Sequence, residues 1–316
     1  MSRALPLVGA HVSSAGGPHN VFPKALEIGA EAVQMFISAP QQWKAPALKE
    51  EHIEAFLEAK AEANLPVFFH GVYLMNFGSQ DAAILEKSVT SLAGYMRWAD
   101  RLGARGTIFH AGSHLGLGFE AVLPQMSRLL RQSLDEAQSE SWLILENNAG
   151  VGNCCGRNFA ELGAIIRALD SDPRVRVCID TCHAFAMGYD ISTPNGCEAA
   201  MAEFEREIGL DRLVAVHAND SKTPLGGIRD RHENIGDGHI GEDGFAAVMS
   251  HPAFAGIPFL LEVPGIDKKG PDAENITRLK RIRDQIAGVP PAKGKKARPR
   301  QKSKSPSPAK SGEGLG

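Results

Sequence analysis

No apolar run in this chain approaches the roughly eighteen residues that a membrane-spanning helix needs. The first residues, MSRALPLVGAHVSSAGG, lack the charged and apolar segments of a secretory leader. A membrane-embedded or exported protein is therefore not expected, and a cytoplasmic one is. Cysteine is scarce: the five are Cys154, Cys155, Cys178, Cys182 and Cys197, an odd number with no CxxC pair. That excludes a disulfide framework and a zinc knuckle as the organising device and leaves reduced, packed thiols. Net charge is also small, −3 in total, but it is unevenly placed. From Ala292 onward eight Lys or Arg face one Glu, a surplus of seven, so the rest of the chain must carry −10. No core can be built from residues 291–316, which are expected to form a disordered basic tail. Such a tail suits either a loose tether for a polyanion or a solubilising extension. The acidic body argues against broad nonspecific DNA binding, although carboxylates that coordinate cations do not present their charge to a ligand.

What the chain does have is a repeating alternation. Six short apolar runs, LPVFFH, RGTIFH, WLILE, RVCID, LVAVH and IPFLLE, end in His70, His110, Glu146, Asp180, His217 and Glu262. They are rich in β-branched and aromatic residues and too short for isolated helices, so they read as buried parallel strands. Longer stretches between them, such as AAILEKSVTSLAGYMRWADRLG and FEAVLPQMSRLLRQSLDEAQ, carry apolar residues at helical spacing. Two earlier units, LPLVGAHVS with FPKALEIG and AEAVQMFIS with EEHIEAFLEAKAEAN, follow the same rule. Eight βα units in residues 1–290 predict an α/β chain folded as a single (β/α)8 TIM barrel. A parallel barrel aims the C-terminal ends of all its strands at one mouth. Taken singly, a strand-end His is an ordinary hydrogen-bonded core residue and a strand-end Asp an ordinary helix N-cap. Their convergence is what favours a metal-binding mouth.

Three more ligand candidates follow in the loops. His183 lies three residues past Asp180 in IDTCHAFAMGYD, and Asp230 and His232 are two apart in GGIRDRHENIGDGHIG. In an extended segment that spacing puts both side chains on one face. A catalytic zinc takes about three protein ligands, so nine candidates suit three ions with room for a bridging carboxylate. Imidazole with carboxylate and no thiolate favours Zn2+ and would accept Mn2+ or Fe2+. Closely spaced divalent ions suit hydrolysis of a phosphate ester, because they activate water, neutralise phosphate oxygens and stabilise the leaving oxygen.

The stretches GAHVSSAGG, ILENNAG, CIDTCHAFAMGYD, HANDSKTPLGGIRDRHENIGDGHIG and LLEVPG span essentially the whole predicted barrel. With them the chain resembles the endonuclease IV family of apurinic/apyrimidinic endonucleases. The resemblance implies a barrel with three zinc ions that hydrolyses the phosphodiester 5′ to abasic sites in duplex DNA, leaving a 3′-hydroxyl and a 5′-deoxyribose phosphate. It implies a first ion on His70, His110 and Glu146, and a second on Asp180, His217 and Glu262 with Glu146 bridging. The third falls to His183, Asp230 and His232. Glu146 and Glu262 are the expected catalytic residues, each combining metal binding with orientation of the nucleophile. A monomer working at the nucleoid is implied as well.

Substrate contacts fall on Tyr73 in HGVYLMNFG, which matches a position that enters the minor groove. They also fall on FISAPQQW, where the family commonly has FTKNQRQW. The contacts there are expected at Gln41 and Trp43; Gln41 stands for an Arg, Pro40 for a Gln and Ala39 for an Asn, and losing an inserted cation should weaken the grip on distorted DNA or shift the work to Gln42 or Trp43. Asn148 and Ala218 are smaller departures, and His11 and His114 are expected to be structural. The competing readings are a metal-dependent sugar isomerase of the xylose isomerase-like barrels and a DNA-binding protein without catalysis. The first needs only one or two ions, so metal content separates it, and turnover on DNA separates the second.

Overall fold

The computed structural model describes residues 4–43 and 48–288. The basic tail lies outside the described residues. The chain begins with β1 (Leu7–His11), α1 (Val21–Ile28), β2 (Val33–Met35) and α2 (Glu50–Ala63). It continues through β3 (Val67–His70), α3 (Ala82–Leu102), β4 (Gly106–Phe109), α4 (Phe119–Ala137), β5 (Trp142–Glu146) and α5 (Phe159–Ala168). Then come β6 (Val175–Asp180), α6 (Thr181–Ala186), α7 (Pro194–Glu207) and β7 (Leu213–His217). A short ribbon of β8 (Asp220–Ser221) and β9 (His232–Glu233) precedes α8 (Gly241–Ser250), β10 (Pro258–Leu261) and α9 (Ala273–Ile286). Eight strands close into a parallel barrel in the order β1, β10, β7, β6, β5, β4, β3, β2, while β8 and β9 pair antiparallel beside it. The expected (β/α)8 barrel is the observed fold.

Local chemistry sets the element boundaries. Asp81, Asn158, Thr193 and Asp272 each accept a backbone N–H of the following first turn, satisfying donors that a helix start leaves open. Pro194 then opens α7, where its missing N–H costs nothing. α3 stops at Gly103, whose left-handed φ of 63° lets its N–H turn back to the Ala99 and Asp100 carbonyls. The barrel closes where β1 pairs with β10, and α9 is tied across that seam. Glu31 takes the Val8 N–H at 2.9 Å, Lys280 at 2.9 Å and Arg283 at 2.6 Å.

The apolar residues form two separate clusters. The larger lies between strands and helices, with Phe22, Phe56, Phe69, Phe109, Leu145, Val177 and Phe259 in it. The smaller is a plug of Ala32, Phe68, Ile108, Ile144, Cys178, Ala215 and Leu260, set inside the barrel by strand alternation. Each plug residue stands two positions before a polar one: Gln34, His70, His110, Glu146, Asp180, His217 and Glu262. A period of two carries the inward face from plug to mouth on every strand. On β1 the pair is Gly9 and His11, and a Cβ on Gly9 would collide with the Ala32 carbonyl, so only glycine lets β1 approach β2 there. All five cysteines are unpaired, and Cys155, Cys178, Cys182 and Cys197 are buried. Among the described residues no helix is long and apolar enough to cross a membrane.

Candidate metal centre

The mouth layer brings ligand atoms from six strand ends and two loops into contact. His70, His110 and Glu146 form one set, with Glu146 Oε2 3.4 Å from the Nε2 of each histidine. Glu146, Asp180, His217 and Glu262 form a second. In it His217 Nδ1 lies 2.8 Å from Glu146 Oε1, 3.4 Å from Glu262 Oε2 and 4.0 Å from Asp180 Oδ2. Glu146 thus turns one oxygen to each set. The third joins His183, on the first turn of α6, to Asp230 and His232, with Asp230 Oδ2 3.3 Å from His183 Nε2 and Oδ1 3.1 Å from His232 Nε2. Cys182 also comes within reach of Asp180 and His232. Burial pushes its thiol up to about 12, which keeps it protonated and a poor ligand.

Buried polar groups ordinarily find hydrogen-bond partners. Here Glu146 Oε2, His183 Nε2, His232 Nε2 and His110 Nδ1 are buried with none. The first three are atoms of the sets just described, close to groups of opposite charge yet in no hydrogen-bond geometry. A cation placed among them removes that cost, so the residues fit divalent ions. Charge points the same way. Burial alone would raise the Glu146 carboxyl, but His110 and His217 hold it well below the usual range. Burial likewise works to discharge His183 and His232, and Asp180 with Asp230 overrides it, lifting them to about 10 and about 9. Asp230 is lowered in return by His183 and His232, against its own burial.

The histidine orientations are set by their other nitrogens. His70 Nδ1 donates to Gly71 O, His183 Nδ1 to Asn147 O and His232 Nδ1 to Glu262 O, at 2.8, 2.9 and 3.2 Å. Each therefore turns Nε2 to the cluster. Asn147 also accepts the Asp180 N–H at 2.7 Å. Asn219 donates to Asp180 Oδ2 at 2.7 Å and accepts the Glu262 N–H at 2.9 Å, locking two carboxylate strands together. Sequence reasoning missed these supports, as it missed Gln34 and Asp220. The buried Asp220 carboxylate accepts the N–H groups of Gly236, Gly238, Ile240 and Gly241 and so fixes the loop after His232. The sequence signal for Asn147 and Asn219 is polarity one and two residues past a strand end.

A cleft of about 660 Å³ opens beside the cluster, lined by His11, Pro40, Tyr73, His232, Glu262 and Lys269 among others. Tyr73 is 60% exposed at its rim, with its ring 5.5 Å from that of His70 and its N–H on the Pro40 carbonyl. Gln41 is exposed in the adjacent turn. Trp43 is not brought to the cluster: half-buried against the core, it lines a separate cleft with Lys87, Trp98 and Arg101 of α3, and residues 44–47 after it are outside the described residues. His11 sits in the mouth layer, as a partner of Glu262 at 3.2 Å. His114 accepts the N–H groups of Gly116 and Gly118 and shapes the loop after β4.

Residues 22–285 match the family model described as a xylose isomerase-like TIM barrel. Over 291 residues the chain is 44% identical to a Streptomyces coelicolor protein named "Probable endonuclease 4", covering 90% of this chain and 98% of that one. The chain belongs to the endonuclease IV family. An Aquifex aeolicus protein of the same name is 38% identical over 279 residues, covering 88% of this chain and 98% of its own. The crystal structure of endonuclease IV from Thermus thermophilus superposes with a TM-score of 0.78 at 32% identity, covering 89% of this chain and all of that one. A D-tagatose 3-epimerase-like protein, 17% identical with a TM-score of 0.67, shares the fold alone. Asn148 and Ala218, read from the sequence as departures from the family pattern, belong to none of the three candidate sets. Asn148 donates to Cys155 O at 2.8 Å in the loop after β5, and Ala218 is buried in the core.

Proposed function

We propose that this member of the endonuclease IV family hydrolyses the phosphodiester 5′ to abasic sites in duplex DNA. The 3′-hydroxyl and 5′-deoxyribose phosphate would be its products. The observation that carries the reading is the double role of Glu146, whose two oxygens serve two adjacent ligand sets. Three divalent ions, zinc for this donor set, would be held by His70, His110 and Glu146, by Glu146, Asp180, His217 and Glu262, and by His183, Asp230 and His232. Bound there, such ions supply Lewis acidity towards phosphate oxygens, water and a leaving oxygen.

The chain's own residues supply position. Glu262 Oε1 is occupied by Gln34 Nε2 at 2.6 Å, which leaves Oε2 directed at His217 and the centre of the cluster. Glu146 and Glu262 are thereby the residues that align the reacting groups. The cleft is too small for a duplex and of the size that takes one extruded nucleotide. Tyr73 on its rim, and Leu115, Leu117, Val151 and Ile228 on loops after other strands, expose apolar surface. Faces of that kind suit unstacked bases, and the exposed Arg229, Arg231 and Lys269 suit phosphates. Gln41 and Tyr73 border this rim, and Trp43 would act only at its outer edge. A sugar isomerase on the same fold has no use for the His183, Asp230 and His232 set.

The test is incision of a duplex oligonucleotide carrying one tetrahydrofuran abasic analogue, by purified protein before and after prolonged chelation, with product ends mapped. The analogue cannot undergo β-elimination, so a 3′-hydroxyl reports hydrolysis. Metal-dependent cleavage 5′ to the lesion is expected; a folded, metal-loaded protein that leaves the duplex intact refutes the reading.

A further inference from the structure

Gln34 is the inward residue of β2 at the mouth, fully buried, and it belongs to none of the ligand sets. Its side chain spans two residues that do. Nε2 lies 2.6 Å from Glu262 Oε1 and 2.9 Å from His11 Nδ1, and Oε1 lies 2.7 Å from His217 Nε2. We propose that Gln34 is a positioning residue that selects the nitrogen His217 offers to a metal and the oxygen Glu262 keeps free for it. The inference rests on the metal reading above.

The argument is one of forced donors and acceptors. A carboxylate only accepts, so the end of Gln34 facing Glu262 is its NH2 group. The reversed amide would set oxygen against oxygen at 2.6 Å. The other end is then the carbonyl, which only accepts, so His217 Nε2 carries the hydrogen. Nδ1 is left to face the carboxylates: it hydrogen-bonds Glu146 Oε1 at 2.8 Å, with Glu262 Oε2 and Asp180 Oδ2 beyond, and is the nitrogen that would turn to an ion bound among them. His70, His183 and His232 are held the opposite way round, with Nδ1 on a backbone carbonyl and Nε2 inward. Among the described residues no backbone carbonyl meets the outward nitrogen of His217. Only a side-chain acceptor from the neighbouring strands can reverse it, and the pairing of β2 with β1 beside β10 delivers Gln34 there. One amide thus orients a histidine and a carboxylate of the same ligand set.

The test uses the full chain, its Gln34→Met variant, which keeps the volume and removes both hydrogen bonds, and Gln34→Glu. The glutamate can still accept from His217 but opposes Glu262. Zinc bound per protein at buffered free zinc, side-chain 15N resonances of the histidines, and kcat and KM on the tetrahydrofuran duplex are read together. In the zinc-loaded parent, His217 is expected to show a protonated Nε2. Gln34→Met should lose one ion about 10- to 100-fold more readily than the parent while holding the others. Its kcat should fall with KM little changed, and Gln34→Glu should recover the His217 signature but not the ion. A parent His217 protonated on Nδ1 overturns the proposal even if neither variant folds. So does full zinc retention by Gln34→Met, or an equal loss of every ion. A parent that binds zinc as expected yet cleaves no abasic duplex defeats the endonuclease reading and leaves this one standing.

Discussion

Two residues along one strand separate Ile144 from Glu146, Phe68 from His70 and Leu260 from Glu262. The first of each pair sits in the apolar plug of the barrel, and the second in a layer of converging charge. The plug residues are fully or almost fully buried, make no polar demands and hold the strands together at roughly 1.5–3 kcal/mol per large side chain. At the mouth His70, Glu146, Asp180, His183 and His217 are as deeply buried, His110, His232 and Glu262 are half-buried and Asp230 is exposed, and their carboxylates and imidazoles face one another with several atoms unpartnered. Without cations such a layer opposes folding. The same backbone therefore carries a stabilising floor and a costly, prearranged roof, and the difference between them is one step of strand alternation.

The sharpest way to break this contrast is to neutralise one roof carboxylate. Glu262→Gln should cut incision on the order of 10²- to 10³-fold while leaving abasic-duplex binding and the metal-free melting temperature close to parental. Near-normal turnover would remove Glu262 from the catalytic set. The converse substitution, Ile144→Ala in the floor, should cost about 2–5 kcal/mol of stability in denaturant melts and leave the rate per folded molecule unchanged. A variant that loses rate but not stability would show that the plug is part of the site. At the outer rim, Lys269→Ala should weaken abasic-duplex binding several-fold. It should also reduce the slope of log affinity against log salt by about 0.9, as expected for one lost phosphate contact. An unchanged slope would take Lys269 out of the interface.

The smallest effect belongs to the outer wall. Burial would raise the Glu31 carboxyl, but the Val8 N–H with Lys280 and Arg283 holds it below its ordinary value of 4.5. A depressed folded-state value means the clamp's contribution is complete above about pH 4.5 and lost as pH falls below it. Glu31→Gln should cost roughly 1 kcal/mol at neutral pH and less in acid, so parent and variant melting temperatures should converge below that pH. Parallel curves across the range would refute the clamp.

Much of the roof was legible because its residues stop the apolar runs that carry them. His70, Glu146, Asp180 and His217 are the last residues of their strands, and His110 and Glu262 lie one past theirs. Gln34 was not legible, because β2 is only three residues long and the apolar run continues through Met35, Phe36 and Ile37, so nothing marks where its inward face meets the mouth. Only the register against β1, His11 beside Gln34, reveals it. Lys269 lies in a polar loop of ordinary appearance, and its place on the cleft follows from the way that loop turns back towards Glu262. Trp43 was assigned by its neighbours in sequence, and in the structure it is half-buried against the core and lines a separate cleft with residues of α3.

The sequence by itself determined the alternation of strand and helix, the closed parallel barrel that eight such units can form, and the residue types available at the mouth. Hydrophobic period and chain length are local properties, read within a few residues. Tertiary structure decided which atoms share a site: that Glu146 divides its oxygens between two sets, that His217 faces inward through Nδ1, and that an amide from β2 holds it so. These depend on how strands distant in the chain are staggered around the barrel, and shifts of a few ångströms in that stagger leave the sequence pattern unchanged while redistributing every contact at the mouth.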